Sequence, residues 1–148
     1  KSLPPLSGQV LDLGCGYGPI GISIAKLNPE AFVTMVDINK RAVELARQNI
    51  ELNNITNAKA IQSDGFHAIA GNIYDAIVTN PPIRAGKKIV YDLFEKSIDH
   101  LQEGGNFYTV IQKKQGAKSA MEKLQSIYGN CEAIEKKGGY WVLKSTKL

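Results

Sequence analysis

Cysteine is nearly absent: Cys15 and Cys131 are the only two in 148 residues, far apart and without ligand-like spacing. Such usage argues against a disulfide framework and suits a reducing compartment. Histidine is as scarce, and His67 and His100 stand alone, so no metal site is expected. No apolar run reaches the roughly 18 residues of a membrane span, and no signal-peptide pattern precedes the first strand-like run. Repeats, low-complexity tracts and linkers are missing too. These gaps point to the cytoplasm as the expected location, with no membrane or metal partner. What is present is ordinary for a globular protein: 43% hydrophobic and 22% charged residues, with a mean hydropathy of −0.18. One domain over residues 1–148 is long enough to bury a core. Net charge is +4 and the pI is near 9.0, a bias toward an anionic partner such as nucleic acid.

Apolar periodicity alternates between short strands and helix-length stripes. Val10–Leu13 predicts a buried strand, and about Pro19 to Leu27 a helix stopped by Asn28-Pro29. Phe32–Val36 follows as a second strand, and Asn39 caps a helix with Val43, Ala46 and Ile50 on one face. Lys59–Gln62 and Ala76–Thr79 are the third and fourth strands. Val90, Leu93, Phe94, Ile98 and Leu101 stripe a helix that Glu103-Gly104-Gly105 is expected to end, before a fifth strand at Phe107–Ile111. Ala120, Met121, Leu124, Ile127 and Tyr128 stripe the last helix. Strands near Glu132–Glu135 and Tyr140–Leu143 are joined by Lys136-Lys137-Gly138-Gly139, the mark of a hairpin. The expected fold is α/β and doubly wound: a mostly parallel seven-stranded sheet closed by an antiparallel C-terminal hairpin. Ligands on such sheets bind beyond the carboxyl ends of the strands.

The first such end carries Asp12-Leu13-Gly14-Cys15-Gly16-Tyr17-Gly18. Alternating glycines let the backbone turn tightly and approach a ligand, and the helix start offers free N–H groups. Gly16 to Gly21 also satisfies G-x-G-x-x-G, with Asp37 about twenty residues on, as a dinucleotide site requires. Three features favour a methyl donor instead. Asp12 is placed to meet an amine, Pro19 removes an N–H that a pyrophosphate would use, and 148 residues leave little room for a dehydrogenase's second domain. Asp37 is the expected acceptor for two ribose hydroxyls, with Ile38 against the adenine face. Asp64 and Gly65 follow the third strand, Asp64 facing the adenine amine and Phe66 covering the ring.

The fourth strand ends in Thr79-Asn80-Pro81-Pro82-Ile83. Two prolines stiffen the backbone and remove two N–H donors. The Asn80 side-chain oxygen and the Pro81 carbonyl then form a rigid pair of acceptors for the two N–H bonds of an exocyclic amine. Holding both would aim the nitrogen lone pair at an electrophile, so positioning supplies most of the catalysis.

In that order and spacing, Gly14-Cys15-Gly16-Tyr17-Gly18, Asp37, Asp64 and Asn80-Pro81-Pro82-Ile83 resemble class I methyltransferases of the Asn-Pro-Pro amino-methylating type. The resemblance covers nearly the whole chain. Asn80 to Lys87 is most similar to small-subunit ribosomal RNA methyltransferases acting on guanine N2. It implies a Rossmann-like methyltransferase fold and S-adenosylmethionine as methyl donor. The implied cofactor contacts are Asp12, Gly14, Cys15, Gly16, Gly18, Asp37, Ile38, Asp64, Gly65, Phe66 and Asn80. The implied catalytic loop is Asn80, Pro81, Pro82 and Ile83. Relatives often carry an aromatic where Ile83 stands, which stacks on a flipped base. They also usually carry an N-terminal segment before the first strand that helps close the cofactor and substrate site, where here about eight residues precede Gln9.

Arg84, Lys87 and Lys88 follow the loop and suit phosphates flanking a target nucleotide, with Lys113, Lys114 and Lys118 extending the patch. Tyr108, Tyr140 and Trp141 are expected in the core. Two other functions remain open on these residues: N5-methylation of a protein glutamine, which uses the same amine chemistry, and a dinucleotide-binding module without catalysis.

Overall fold

The structure, a computed structural model, describes residues 3–148. Its strands are β1 (Gly8–Leu13), β2 (Ala31–Asp37), β3 (Ala58–Gln62), β4 (Tyr74–Thr79), β5 (Leu101–Gln112), β6 (Glu132–Lys137) and β7 (Tyr140–Thr146). Its α-helices are α1 (Pro19–Leu27), α2 (Lys40–Leu52), α3 (Lys87–Ser97) and α4 (Ala117–Tyr128). One sheet runs in the order β3-β2-β1-β4-β5-β7-β6. β1 to β5 pair in parallel, while β7 is antiparallel to both β5 and β6. The mostly parallel sheet with a closing hairpin is therefore present.

Strand alternation separates two cores. Val10, Val33 and Met35 face α1 and α2, where they pack with Val43 and Ala46. Leu11, Leu13 and Phe107 face the other way, against Phe94 of α3 and Leu124 of α4. Local chemistry sets the helix ends: Pro19 opens α1, and Asn39 Oδ1 accepts the Ala42 N–H at 3.1 Å to cap α2. The strand order reverses between β1 and β4, which opens a crevice at their carboxyl ends. Thr79 Oγ1 donates to the Leu13 carbonyl at 2.8 Å and pins those two ends together.

The expected extent of the third helix needs correction. α3 stops at Ser97, a short turn spans Ile98–His100, and Leu101 already belongs to β5. Glu103-Gly104-Gly105 lies within β5 as an irregularity, not at a helix end. Pairing passes from Tyr74–Leu101 to Ala76–Asn106, five steps along β5 against two along β4. The excess bulges outward and is held by Lys147, just past the end of β7: the Gly104 N–H donates to the Lys147 carbonyl at 2.6 Å, and the Lys147 N–H to the Gly105 carbonyl at 2.9 Å. A helical stripe and the start of a buried strand share the same apolar spacing, so sequence alone did not separate them. A second correction concerns the aromatics. Tyr108 is buried at 1% exposure and half-buried Trp141 packs against the core as expected, but Tyr140 is 44% exposed.

Candidate active site

The glycine turn is braced from β2. The Gly14 and Cys15 N–H groups both donate to the Val36 carbonyl, at 2.9 and 2.8 Å. Asp37 completes the clasp: Oδ2 accepts the Gly16 N–H at 2.8 Å and Oδ1 the Asn39 N–H at 2.9 Å. Each carboxylate oxygen keeps a second lone pair for hydroxyl donors. Gly14 and Gly16 take φ of +74° and +58°, and a Cβ on either would meet nothing within 4 Å. Their backbone therefore faces open space that a ligand can approach closely. Gly21 serves a different purpose. A Cβ there would lie 2.6 Å from Met35 Cγ and 2.8 Å from Asp12 Oδ2, so glycine lets α1 seat directly on the sheet.

Beneath that seat lies Asp12, 1% exposed, its Oδ2 without a hydrogen-bond partner among the described residues. Burial pushes its pKa up to about 7; the Gly21 backbone N–H opposes the shift and the Asp37 charge adds to it. Strand parity puts Asp12 on the α1 side with Val10, so it does not line the crevice. Burial, with Asp12 and Asp37 adding to it, pushes the Cys15 thiol up to about 12, which makes it a packed group, not a nucleophile.

After β3, buried Ser63 shapes the next turn: its Oγ donates to the Gly65 carbonyl at 2.6 Å and accepts the Ala68 N–H at 3.0 Å. Phe66 is buried and stacks on His100, with ring centroids 4.3 Å apart and planes 8° from parallel. His100 Nδ1 lies 3.0 Å from the Asn72 carbonyl, which fixes the imidazole behind that ring.

After β4, the Asn80 side chain is exposed and makes no hydrogen bond among the described residues. Pro82 has φ −77° and ψ 77°, an inverse γ-turn, and the Ile83 N–H donates to the Pro81 carbonyl at 2.9 Å. That leaves the Pro81 oxygen one lone pair for a further donor. Pro81 is buried and Pro82 exposed.

These three turns border one cavity of about 1260 Å³. It gathers Gly14, Asp37, Ile38, Asp64, Gly65, Phe66, Asn80, Pro82 and Lys88 from the residues singled out by sequence. Cys15, Gly16, Gly18, Pro81, Arg84 and Lys87 are not among its walls; Cys15 and Gly18 are buried within the turn, half-buried Gly16 is held there by Asp37, and Arg84 and Lys87 are exposed. Ile83 and Lys87 instead border a hollow of about 50 Å³ with Ile111. Tyr91 of α3 contributes to both spaces. Sequence reasoning missed Ser63, Tyr91 and His100. Ser63 adjoins Asp64 and was open to notice, whereas nothing in the sequence relates His100 to a ring 34 positions earlier. No helix among the described residues is long and apolar enough to cross a membrane.

Comparison with known proteins agrees with this arrangement. The family model described as methyltransferase small domain matches residues 1–144. The uncharacterized Bacillus subtilis protein YbxB is 49% identical over 146 residues, covering 98% of this chain and 73% of the relative. Ribosomal RNA small subunit methyltransferase C of Vibrio cholerae is 33% identical over 153 residues, 99% of this chain but 43% of the enzyme. The chain thus spans less than half the length of that enzyme. Among solved structures, a T. thermophilus 16S rRNA N2 methyltransferase in complex with AdoMet and guanosine superposes with a TM-score of 0.84 at 28% identity. That match covers 95% of this chain and 37% of the other. A Pyrococcus furiosus methyltransferase, at 24% identity, shares the fold with a TM-score of 0.85 over 99% of this chain and 78% of its own. On the strength of the family match across almost its full length, the chain belongs to the methyltransferase small domain family.

Proposed function

We propose that this chain transfers a methyl group from S-adenosylmethionine to an exocyclic amino group of a nucleic-acid base, guanine N2 in small-subunit ribosomal RNA. One observation carries the proposal: an unbonded Asn80 amide and a proline-stiffened turn open into the same cavity as the Asp37 clasp. The cavity volume exceeds what one drug-sized ligand needs, so cofactor and base fit side by side. Exposed Ile38 and buried Phe66 supply apolar surface for an adenine, Asp64 a carboxylate for its amine, and the free lone pairs of Asp37 acceptors for a ribose diol.

When bound, S-adenosylmethionine supplies a methyl group on a sulfonium, an electrophile with a good leaving group. Asn80 Oδ1 and the free lone pair on the Pro81 carbonyl accept the two N–H bonds of the target amine, turning its lone pair out of conjugation with the ring. Held by Asp37, Ile38, Asp64 and Phe66, the donor would supply the methyl that replaces one amine hydrogen, whose proton would pass to water. Both acceptors are uncharged, so the chain contributes orientation and dipoles and no strong base. Exposed Arg84, Lys87 and Lys88 flank the loop and suit the phosphates beside the target nucleotide.

Tritiated methyl donor followed into RNA and protein fractions tests this. Label in guanine N2 that Asn80→Ala abolishes, with cofactor affinity retained, supports the proposal. Label on protein glutamine in its place overturns the acceptor, and dinucleotide binding without binding of the methyl donor overturns the whole function.

A further inference from the structure

The C-terminal hairpin turn falls on the same rim as the proposed active site. β7 runs antiparallel to β5, and its first residue, Tyr140, pairs with Gln112, the last of β5. Thr79, after which Asn80 leaves β4, pairs with Thr109. The turn therefore stands three residues higher along β5, about 10 Å at 3.3 Å per residue. Across the sheet, Tyr140 is two strands from β4, again about 10 Å at 4.8 Å per strand. A nucleotide held at Asn80 has this tip as a neighbour on one side.

The tip is fastened and positively charged. The Lys113 N–H donates to the Gly139 carbonyl at 2.8 Å, and Gln112 Nε2 donates to the Tyr140 hydroxyl at 2.8 Å. These bonds tie the turn to the loop after β5, which carries exposed Lys113 and Lys114. Lys136 and Lys137, the last two residues of β6, are exposed where that strand enters the turn. The ion pairs among the described residues are Lys96–Asp92 and Lys123–Glu95, so none of these four lysines is neutralised by one. Two aromatic rings interleave with them. The Lys136 ammonium sits over the Trp141 ring, 4.1 Å from its centroid, and Tyr140 leaves 44% of its surface to solvent with its hydroxyl anchored. Ammonium groups alternating with an oriented, exposed ring match the phosphates and base faces of a single strand. An acidic protein segment would use the charges but leave the ring without a partner.

We propose that the hairpin tip, with Lys113 and Lys114, is a second RNA-holding element: it grips single-stranded RNA beside the target nucleotide, with Lys136 and Lys137 on phosphates and Tyr140 stacked on a base. The proposal rests on the RNA acceptor proposed above. Its test measures the affinity of the chain for a fluorescein-labelled single-stranded RNA of about 12 nucleotides over a range of salt. Lys136→Gln with Lys137→Gln lowers the slope of log affinity against log salt by about 1.4, at 0.7 for each phosphate released. Tyr140→Ala weakens binding about 5- to 160-fold, and Tyr140→Phe, which keeps the ring, binds as wild type. Unchanged melting temperatures and S-adenosylhomocysteine affinity in all three establish that the fold and the cofactor side are intact. Should these variants bind like wild type while Arg84→Gln with Lys87→Gln loses affinity, the hairpin role is overturned and the RNA acceptor stands. Should the wild type bind no RNA and label only protein, both fall together.

Discussion

Two turns meet across the cavity, and they are held in opposite ways. The glycine turn after β1 is soft in sequence and braced from outside by Val36, by Asp37 and by Asn49, whose Nδ2 donates to the Tyr17 carbonyl at 2.8 Å. Among the described residues the Asn80–Ala85 turn is held by local hydrogen bonds, Ile83 to Pro81, Ala85 to Pro82 and Gly86 to Ile83, and takes its rigidity from two proline rings. A mobile backbone needs long-range bonds to become a binding surface, whereas a stiff one keeps its acceptors free for substrate. The glycine side should therefore answer to mutation in stability, and the proline side in chemistry.

The strongest probe of the glycine side is Asp12. Its folded pKa of about 7 lies above the ordinary 3.8, so the folded state holds the proton more tightly than the unfolded chain. Stability is then fullest below pH 3.8 and is lost as pH rises toward 7. About three units at 1.36 kcal/mol each give up to about 4 kcal/mol. Asp12→Asn is expected to flatten that dependence, to exceed wild type in urea melts at pH 8, and to converge with it near pH 4. Parallel profiles would mean that the carboxylate is compensated in the folded state.

Asn80→Ala tests the other side. Because the amide is exposed and unbonded, the melting temperature should stay put while single-turnover methyl transfer falls about 100- to 1000-fold, as loss of one preorganised transition-state hydrogen bond does. A shift in melting temperature would break the contrast. Asp37→Ala should act on both counts, lowering stability by about 1–3 kcal/mol by denaturant titration as the Gly16 and Asn39 N–H groups lose their acceptor, and weakening binding of the methyl donor. The smallest effect is expected for Pro82→Ala, about 0.4–1 kcal/mol of stability through the unfolded chain. Its rate of methyl transfer should fall more than that loss suggests, because a loosened turn spreads the two acceptors; an unchanged rate would show that the ring is dispensable.

Much of this contrast was legible in the chain itself. Glycines that alternate after a buried strand, and prolines that follow Asn80, constrain the backbone within a few residues, so their roles can be read locally. Asn39 as a cap and Gly138-Gly139 as a hairpin turn are legible for the same reason. The start of β5 was not, because apolar spacing at Ile98 and Leu101 fits either element until Tyr74 supplies a partner. Nor was the position of Asp12, where a strand-end carboxylate suggests the crevice and side-chain parity turns it under α1.

By itself, the sequence determined the alternation of strands and helices, the two special turns and the order in which they arrive, since each depends on neighbouring residues and the geometry of glycine and proline. Only the tertiary structure decided that Phe66 rests on His100, that Asp37 clasps Gly16, and that the lysines of a C-terminal hairpin stand above the same rim. Those relations depend on strand order and register, which are settled by packing across the whole sheet.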